Sequence, residues 1–236
     1  MKEGFKVKSR DFKQLSLQQL KGNYGNVTVA LLVVMLITGA VSAIFNLPTT
    51  ISTNLQGGTG LEDISAPLAI LSSVGSVIAC IVASLFAYGV SKYMLNFVRS
   101  GQSDIRYIFS GFSEGFNTWV RAFVLQVLMS VFIMLWSLLL VIPGIIASYR
   151  YMMAYYILAD NEDMSAIDAI RASKQMMIGH KWELFVLHLS FIGWIALCII
   201  TCGIGFIFLA PYMDASIANF YEYLRGIYDS NKSAVA

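Results

Sequence analysis

Four long stretches of this chain carry no formal charge: the residues between Lys21 and Glu62, and those spanning 64–91, 122–149 and 184–213. Each is longer than the about 20 residues that an α-helix rising about 1.5 Å per residue needs to cross about 30 Å of hydrocarbon. A soluble core has no use for such runs, so the pattern describes an all-α, multi-pass transmembrane helix bundle. Composition agrees. Hydrophobic residues make up 57% of the 236 positions and charged residues 13%, the mean hydropathy is +0.68, and soluble domains carry about 25% charge. The first apolar run ends in Val41-Ser42-Ala43, a small-residue spacing found at cleavage sites. Its charged leader and apolar stretch are both too long for a signal peptide, so the run is expected to stay as a span.

Two of the stretches contain a break. Pro143-Gly144 removes a backbone donor and permits a tight turn, and Thr201-Cys202-Gly203-Ile204-Gly205 interrupts the last stretch in the same way. Six spans follow, arranged as three hairpins in a single membrane domain. The expected layout is an amphipathic leader (1–26), hairpin one (27–90), an interfacial segment (91–121), hairpin two (122–160), a second interfacial segment (161–183), hairpin three (184–224) and a tail (225–236). With both termini in the cytoplasm, fifteen of the sixteen Lys and Arg residues fall on the inner side, as the positive-inside rule requires. Arg150, inside the fourth span, is the exception.

A short helix is expected to introduce each hairpin on the cytoplasmic side. Ser16 to Tyr24 and Ser173 to Trp182 share a pattern: Ser, five residues, Gly, a polar residue, then an aromatic and an apolar run. Between them Ile105, Ile108, Phe109 and Phe112 follow i, i+3, i+4, i+7 spacing, which makes an apolar helical face. Ser165 and Asp168 read as a capping box, with Ile167, Ile170, Met177 and Ile178 on one face of the helix they start. The series suggests a unit repeated three times, and chance likeness between amphipathic helices is the alternative.

The run Leu135-Trp136-Ser137 through Pro143-Gly144-Ile145-Ile146, Tyr155-Tyr156-Ile157-Leu158-Ala159-Asp160-Asn161, Gly179-His180-Lys181-Trp182 and Leu189-Ser190-Phe191-Ile192-Gly193-Trp194 resemble the bacterial domain-of-unknown-function 975 family. So does Leu20-Lys21-Gly22-Asn23, although Tyr24 stands where that family carries Trp, Glu162 where it carries Pro, and Arg150 where a small or polar residue is expected. The resemblance implies a bacterial cytoplasmic-membrane protein and brings no catalytic residues with it.

For chemistry the sharpest signal is Asp214, near the middle of the sixth span, because an ionisable group at that depth costs several kcal/mol unless paired, protonated or wetted. Arg150 is its expected partner. The two form either a structural ion pair or a polar site in a substrate or ion path. His180 and His188 do not share a helix face and have no third ligand at metal spacing, so no metal site is expected. No nucleophile elbow and no extramembrane domain support catalysis, and no catalytic residue or cofactor is expected. Cys198 and Cys202, at i, i+4, and Cys80 read as small packing residues. Ser72, Ser76, Cys80 and Ser84 recur every four residues in the second span, a stripe that allows close helix packing in lipid. Trp119, Trp182, Tyr93 and Tyr221 fit an aromatic belt.

The bases on the inner face imply attraction to anionic lipid head groups, and a membrane-protein partner or self-association is open. No nucleic-acid partner is expected, since charge sidedness already explains the bases. Three classes of function remain: a non-enzymatic accessory or regulatory protein acting through protein or lipid contacts at the inner face, a lipid- or small-solute-handling protein centred on Asp214, and a membrane enzyme.

Overall fold

The computed structural model describes residues 9–55, 62–201 and 203–235, and these are helical with short connections. Lys2, Lys6, Lys8, residues 56–61 and Cys202 lie outside the described residues. In chain order the helices are α1 (Ser9–Leu20), α2 (Tyr24–Leu55), α3 (Glu62–Ser100), α4 (Ser110–Ser113), α5 (Phe116–Leu139), α6 (Val141–Tyr151), α7 (Ala154–Asp160), α8 (Ala166–Met176), α9 (Lys181–Leu189), α10 (Ile192–Ile200) and α11 (Ile204–Val235). A 3-10 turn, Ile105–Phe109, precedes α4. Among the described residues four stretches are long and apolar enough to cross a membrane: Tyr24–Phe45, Ser72–Ser100, Phe116–Leu138 and Lys181–Ile200.

The helices pair locally, α2 with α3, α5 with α6 and α10 with α11. The turn of the middle pair does not fall at Pro143-Gly144. It falls one helical turn earlier, at Leu140, whose backbone is extended (φ −165°, ψ 147°). Pro143 then occupies the first turn of α6, where a missing N–H costs nothing. Gly144 is pressed so closely against Ser137 that a Cβ would not fit. The break after α10 lies where expected: Gly203 takes a left-handed φ of 88° and its N–H bonds to the Cys198 carbonyl at 2.9 Å.

The segments that introduce the pairs do not lie loose at the periphery. Each packs on the pair before the one it introduces, in cyclic order. α1 lies on α11 and α9, the 3-10 turn and α4 lie on α3, and α8 lies on α7, α5 and α6. Every such segment ends at a glycine of positive φ before the next helix: Gly22 (89°), Gly115 (95°) and Gly179 (83°). Each carries a buried serine one to two turns earlier, Ser16, Ser110 and Ser173. A Tyr-Met dipeptide lies in α3, at the end of α6 and in α11, as Tyr93-Met94, Tyr151-Met152 and Tyr212-Met213, with all three tyrosines buried. The middle segment thus ends on a positive-φ glycine, Gly115, as the other two do.

The middle segment is not the regular amphipathic helix its spacing suggests. Ile108 is buried, but Ile105 and Phe109 are exposed. The reason is close backbone contact: the Ile108 carbonyl occupies the space of a Gly89 Cβ, and the Leu85 carbonyl that of Gly111. Two glycines replace side-chain packing with backbone packing, and the tighter 3-10 geometry follows. In α8 the Ser165 hydroxyl caps the Asp168 N–H at 3.2 Å as expected. Its apolar residues split, however, with Ile170 and Met177 buried and Ile167 and Ile178 exposed.

Candidate functional site

Helices α3, α7 and α11 meet at one end of the bundle, and a cluster of paired charges gathers there. Asp160, at the last position of α7, accepts from Arg99 Nη1 at 2.7 Å, from the Tyr221 hydroxyl at 3.0 Å and from Arg225 Nε at 3.2 Å. Arg99 also holds Glu222 at 2.6 Å. Tyr221 stacks on Tyr156, ring centroids 5.5 Å apart. Two turns back along α3, Lys92 bridges Glu114 at 2.6 Å and Glu162 at 2.5 Å, and the Tyr88 hydroxyl donates to Glu114 at 2.6 Å. Glu162 lies beyond the helix end, and the Lys92 ammonium holds its carboxyl below the usual carboxylate range. The knot ties all three pairs together with its charges satisfied inside the chain. Tyr93 and Tyr221 are core residues here rather than belt residues, whereas Trp182 and Trp119 are exposed.

A second polar seam joins α1 to α11. Asn219 Nδ2 donates to Ser16 Oγ at 3.0 Å, to Gln19 Oε1 at 2.7 Å and to the Ala215 carbonyl at 3.0 Å. The Ser216 hydroxyl reaches Ser16 at 3.2 Å, and Gln19 Nε2 donates to the Val98 carbonyl at 3.1 Å. Lys13 donates to the Ser190 carbonyl at 3.1 Å and sits 4.5 Å from the centre of the Phe191 ring, at the break between α9 and α10. No spacing rule pointed to these residues, because a single Asn or Ser per turn reads as ordinary helix surface.

Arg150 and Asp214 are not brought together: among the described residues no ion pair or hydrogen bond joins them. Asp214 is half-buried on α11. Arg150 offers its carbonyl to the Ser173 hydroxyl at 2.9 Å, and its Nε is buried without a hydrogen-bond partner. The small-residue stripe of α3 divides along its length. Ser84 is buried, Cys80 and Ser72 are half-buried and Ser76 is exposed, while the tight contact with α2 is made by Gly75 against Phe45. Among the described residues no three His, Cys, Asp or Glu side chains are grouped to hold a metal ion.

Two apolar clefts open on the sides of the bundle. One, about 330 Å³, lies where α1 and the start of α2 face α10 and α11, and is lined by Leu17, Tyr24, Trp194, Leu197, Phe208 and Tyr212 among others. Tyr24 closes its floor by donating to the Phe208 carbonyl. The other, about 490 Å³, runs between α6 and α9. Neither is lined by Asp214 or Arg150.

Nothing among the curated proteins and nothing among the solved structures matches this chain. One family model does, over residues 1–143 and again over 138–227, so between them the two matches take in nearly every element described above. The chain thus belongs to the family described as protein of unknown function (DUF975).

Proposed function

We propose that this protein is a non-enzymatic accessory component of the bacterial cytoplasmic membrane, acting through contacts of its flanks and inner face with lipid or with another membrane protein. Its three helix pairs make six passes, and both termini lie in the cytoplasm. The sidedness of the Lys and Arg residues supports the orientation, and the recurrence of one packing unit around the bundle supports the pairing. The observation that carries the function is where the open space lies. Both clefts described are largely apolar and lateral, and neither is lined by Asp214 or Arg150.

A second reading, lipid or small-solute handling at a polar site around Asp214 and Arg150, draws on the absence of a bonded partner for either charged group among the described residues. Native mass spectrometry of the protein in lipid nanodiscs, beside Asp214→Asn, separates the two. The accessory reading expects the same lipid or protein adducts on both. Loss of a bound molecule from the variant alone would replace it with the second reading.

A further inference from the structure

The cleft between α6 and α9 is polarised from end to end. Its walls are Ile142, Ile145, Ile146, Tyr149 and Phe185, and its lip carries Lys181 and Trp182. The rings form a continuous side: Trp182 stacks on Phe185 at 5.1 Å and Phe185 meets Tyr149 edge-on at 6.0 Å. Trp182 and Ile146 remain 70% and 49% exposed, so the chain itself does not fill the groove.

Lys181 is the one charged residue on that lining, and among the described residues it makes no ion pair or hydrogen bond. The neighbouring carboxylate, Glu183, lies against His180 Nδ1 at 2.8 Å and makes no ion pair with the Lys181 ammonium. Lys181 also opens the apolar stretch Lys181–Ile200, which sets the ammonium and the Trp182 ring at the depth where cations and tryptophans meet head groups. Below them the groove offers hydrocarbon.

From this geometry we infer that the α6–α9 cleft binds one anionic phospholipid, its phosphate on Lys181 and an acyl chain laid along Ile145, Ile146 and Phe185. One cation at the end of an otherwise apolar slot is complementary to an amphiphile with a negative head. A partner helix would bring a two-sided surface and would leave the ammonium buried against apolar atoms without a counter-charge. The inference rests on the lateral-contact reading above and names its ligand.

The test uses the full chain in mixed micelles with phosphatidylglycerol or phosphatidylcholine as probe, read by native mass spectrometry. Wild type retains one phosphatidylglycerol in preference to phosphatidylcholine by about fivefold, the weight of one base at a membrane surface. Lys181→Gln loses the preference while keeping its apparent Tm. Ile146→Trp, at an exposed position, fills the slot and loses both lipids. Equal retention of the two lipids by wild type, or an undiminished preference in Lys181→Gln, overturns the site. If the preference is missing while the nanodisc adducts are still shared by wild type and Asp214→Asn, the groove proposal fails and the lateral-contact reading stands. A protein retained on the groove and lost in Ile146→Trp makes the occupant a polypeptide and equally overturns the lipid.

Discussion

Asn219 of α11 donates a hydrogen bond to the hydroxyl of Ser16 of α1 at 3.0 Å, across 203 residues of sequence. Both side chains are buried, so this is the contact by which the first helix described is seated on the last. Asn219→Ala removes this donor from the buried Ser16 hydroxyl and is expected to cost about 1–3 kcal/mol, the usual penalty for a buried polar group left unsatisfied. Thermal unfolding in detergent, followed by tryptophan fluorescence, should show the loss. An unchanged apparent Tm would mean that the seam does not hold α1.

Gly89 has no room for a methyl group because the Ile108 carbonyl already stands there. Backbone cannot move aside as a flexible side chain can, so Gly89→Ala is expected to cost about 1–3 kcal/mol and to free the segment 105–113 from α3. Limited proteolysis between Gly101 and Gly115 checks it, with faster cleavage expected in the variant.

Gly115 takes φ 95°, and an L side chain there costs about 1–2 kcal/mol. The same applies to Gly22 and Gly179, at φ 89° and 83°. Comparable destabilisation by alanine at all three positions is expected if they are equivalent joints of one repeated unit. A harmless Gly115→Ala would remove the middle copy from the repeat.

Glu162 is bridged to Lys92 at 2.5 Å, and its folded-state pKa lies below its ordinary value of 4.5. A depressed carboxylate pKa contributes stability that is present above the unfolded pKa and is lost as pH falls through the lower folded value. Wild type should therefore lose more apparent Tm than Glu162→Gln between pH 6 and pH 3. Glu162 is largely exposed, so the difference is small at any pH. Glu162→Pro, which restores the residue the family resemblance leads one to expect, should fold normally, because Asn161 is already extended at φ −129°, ψ 91°.

Topology is open to labelling in a variant whose native cysteines are replaced. Six passes with cytoplasmic termini expect Ser103→Cys to react only from the inside, and Leu140→Cys and Thr201→Cys only from the outside. The contact of Tyr24 with Phe208 makes Thr201 the decisive position. If it is labelled from the same side as Ser103, the third pair enters and leaves by one face, and six passes are wrong.

What was legible in the sequence follows from the strength of each signal. Uncharged runs, the capping pair Ser165 and Asp168, and the break at Gly203 are local, and each reappears in the structure. The turn at Leu140 was missed because Pro143-Gly144 reads equally well as a turn or as a helix start. The polar knot is not legible because its members come from distant segments: Arg99 and Arg225 count towards sidedness, whereas their partners Asp160 and Glu222 lie 61 and 123 residues from Arg99. Asp214 and Arg150 were paired on cost alone, and cost does not say which neighbour a helix will face. Arg150 has its carbonyl on Ser173.

The cyclic packing of the introducing segments has a consequence for the order of assembly. During synthesis α1 emerges first, but its seat is α11, so the hydroxyl of Ser16 waits for its neighbours until residue 219 has left the ribosome. The other two segments follow the pair they rest on and can dock at once. Nascent chains arrested before α11 should therefore hold the middle of the protein in place while α1 stays open to protease, and completion of the last helix shuts the ring in a single late step.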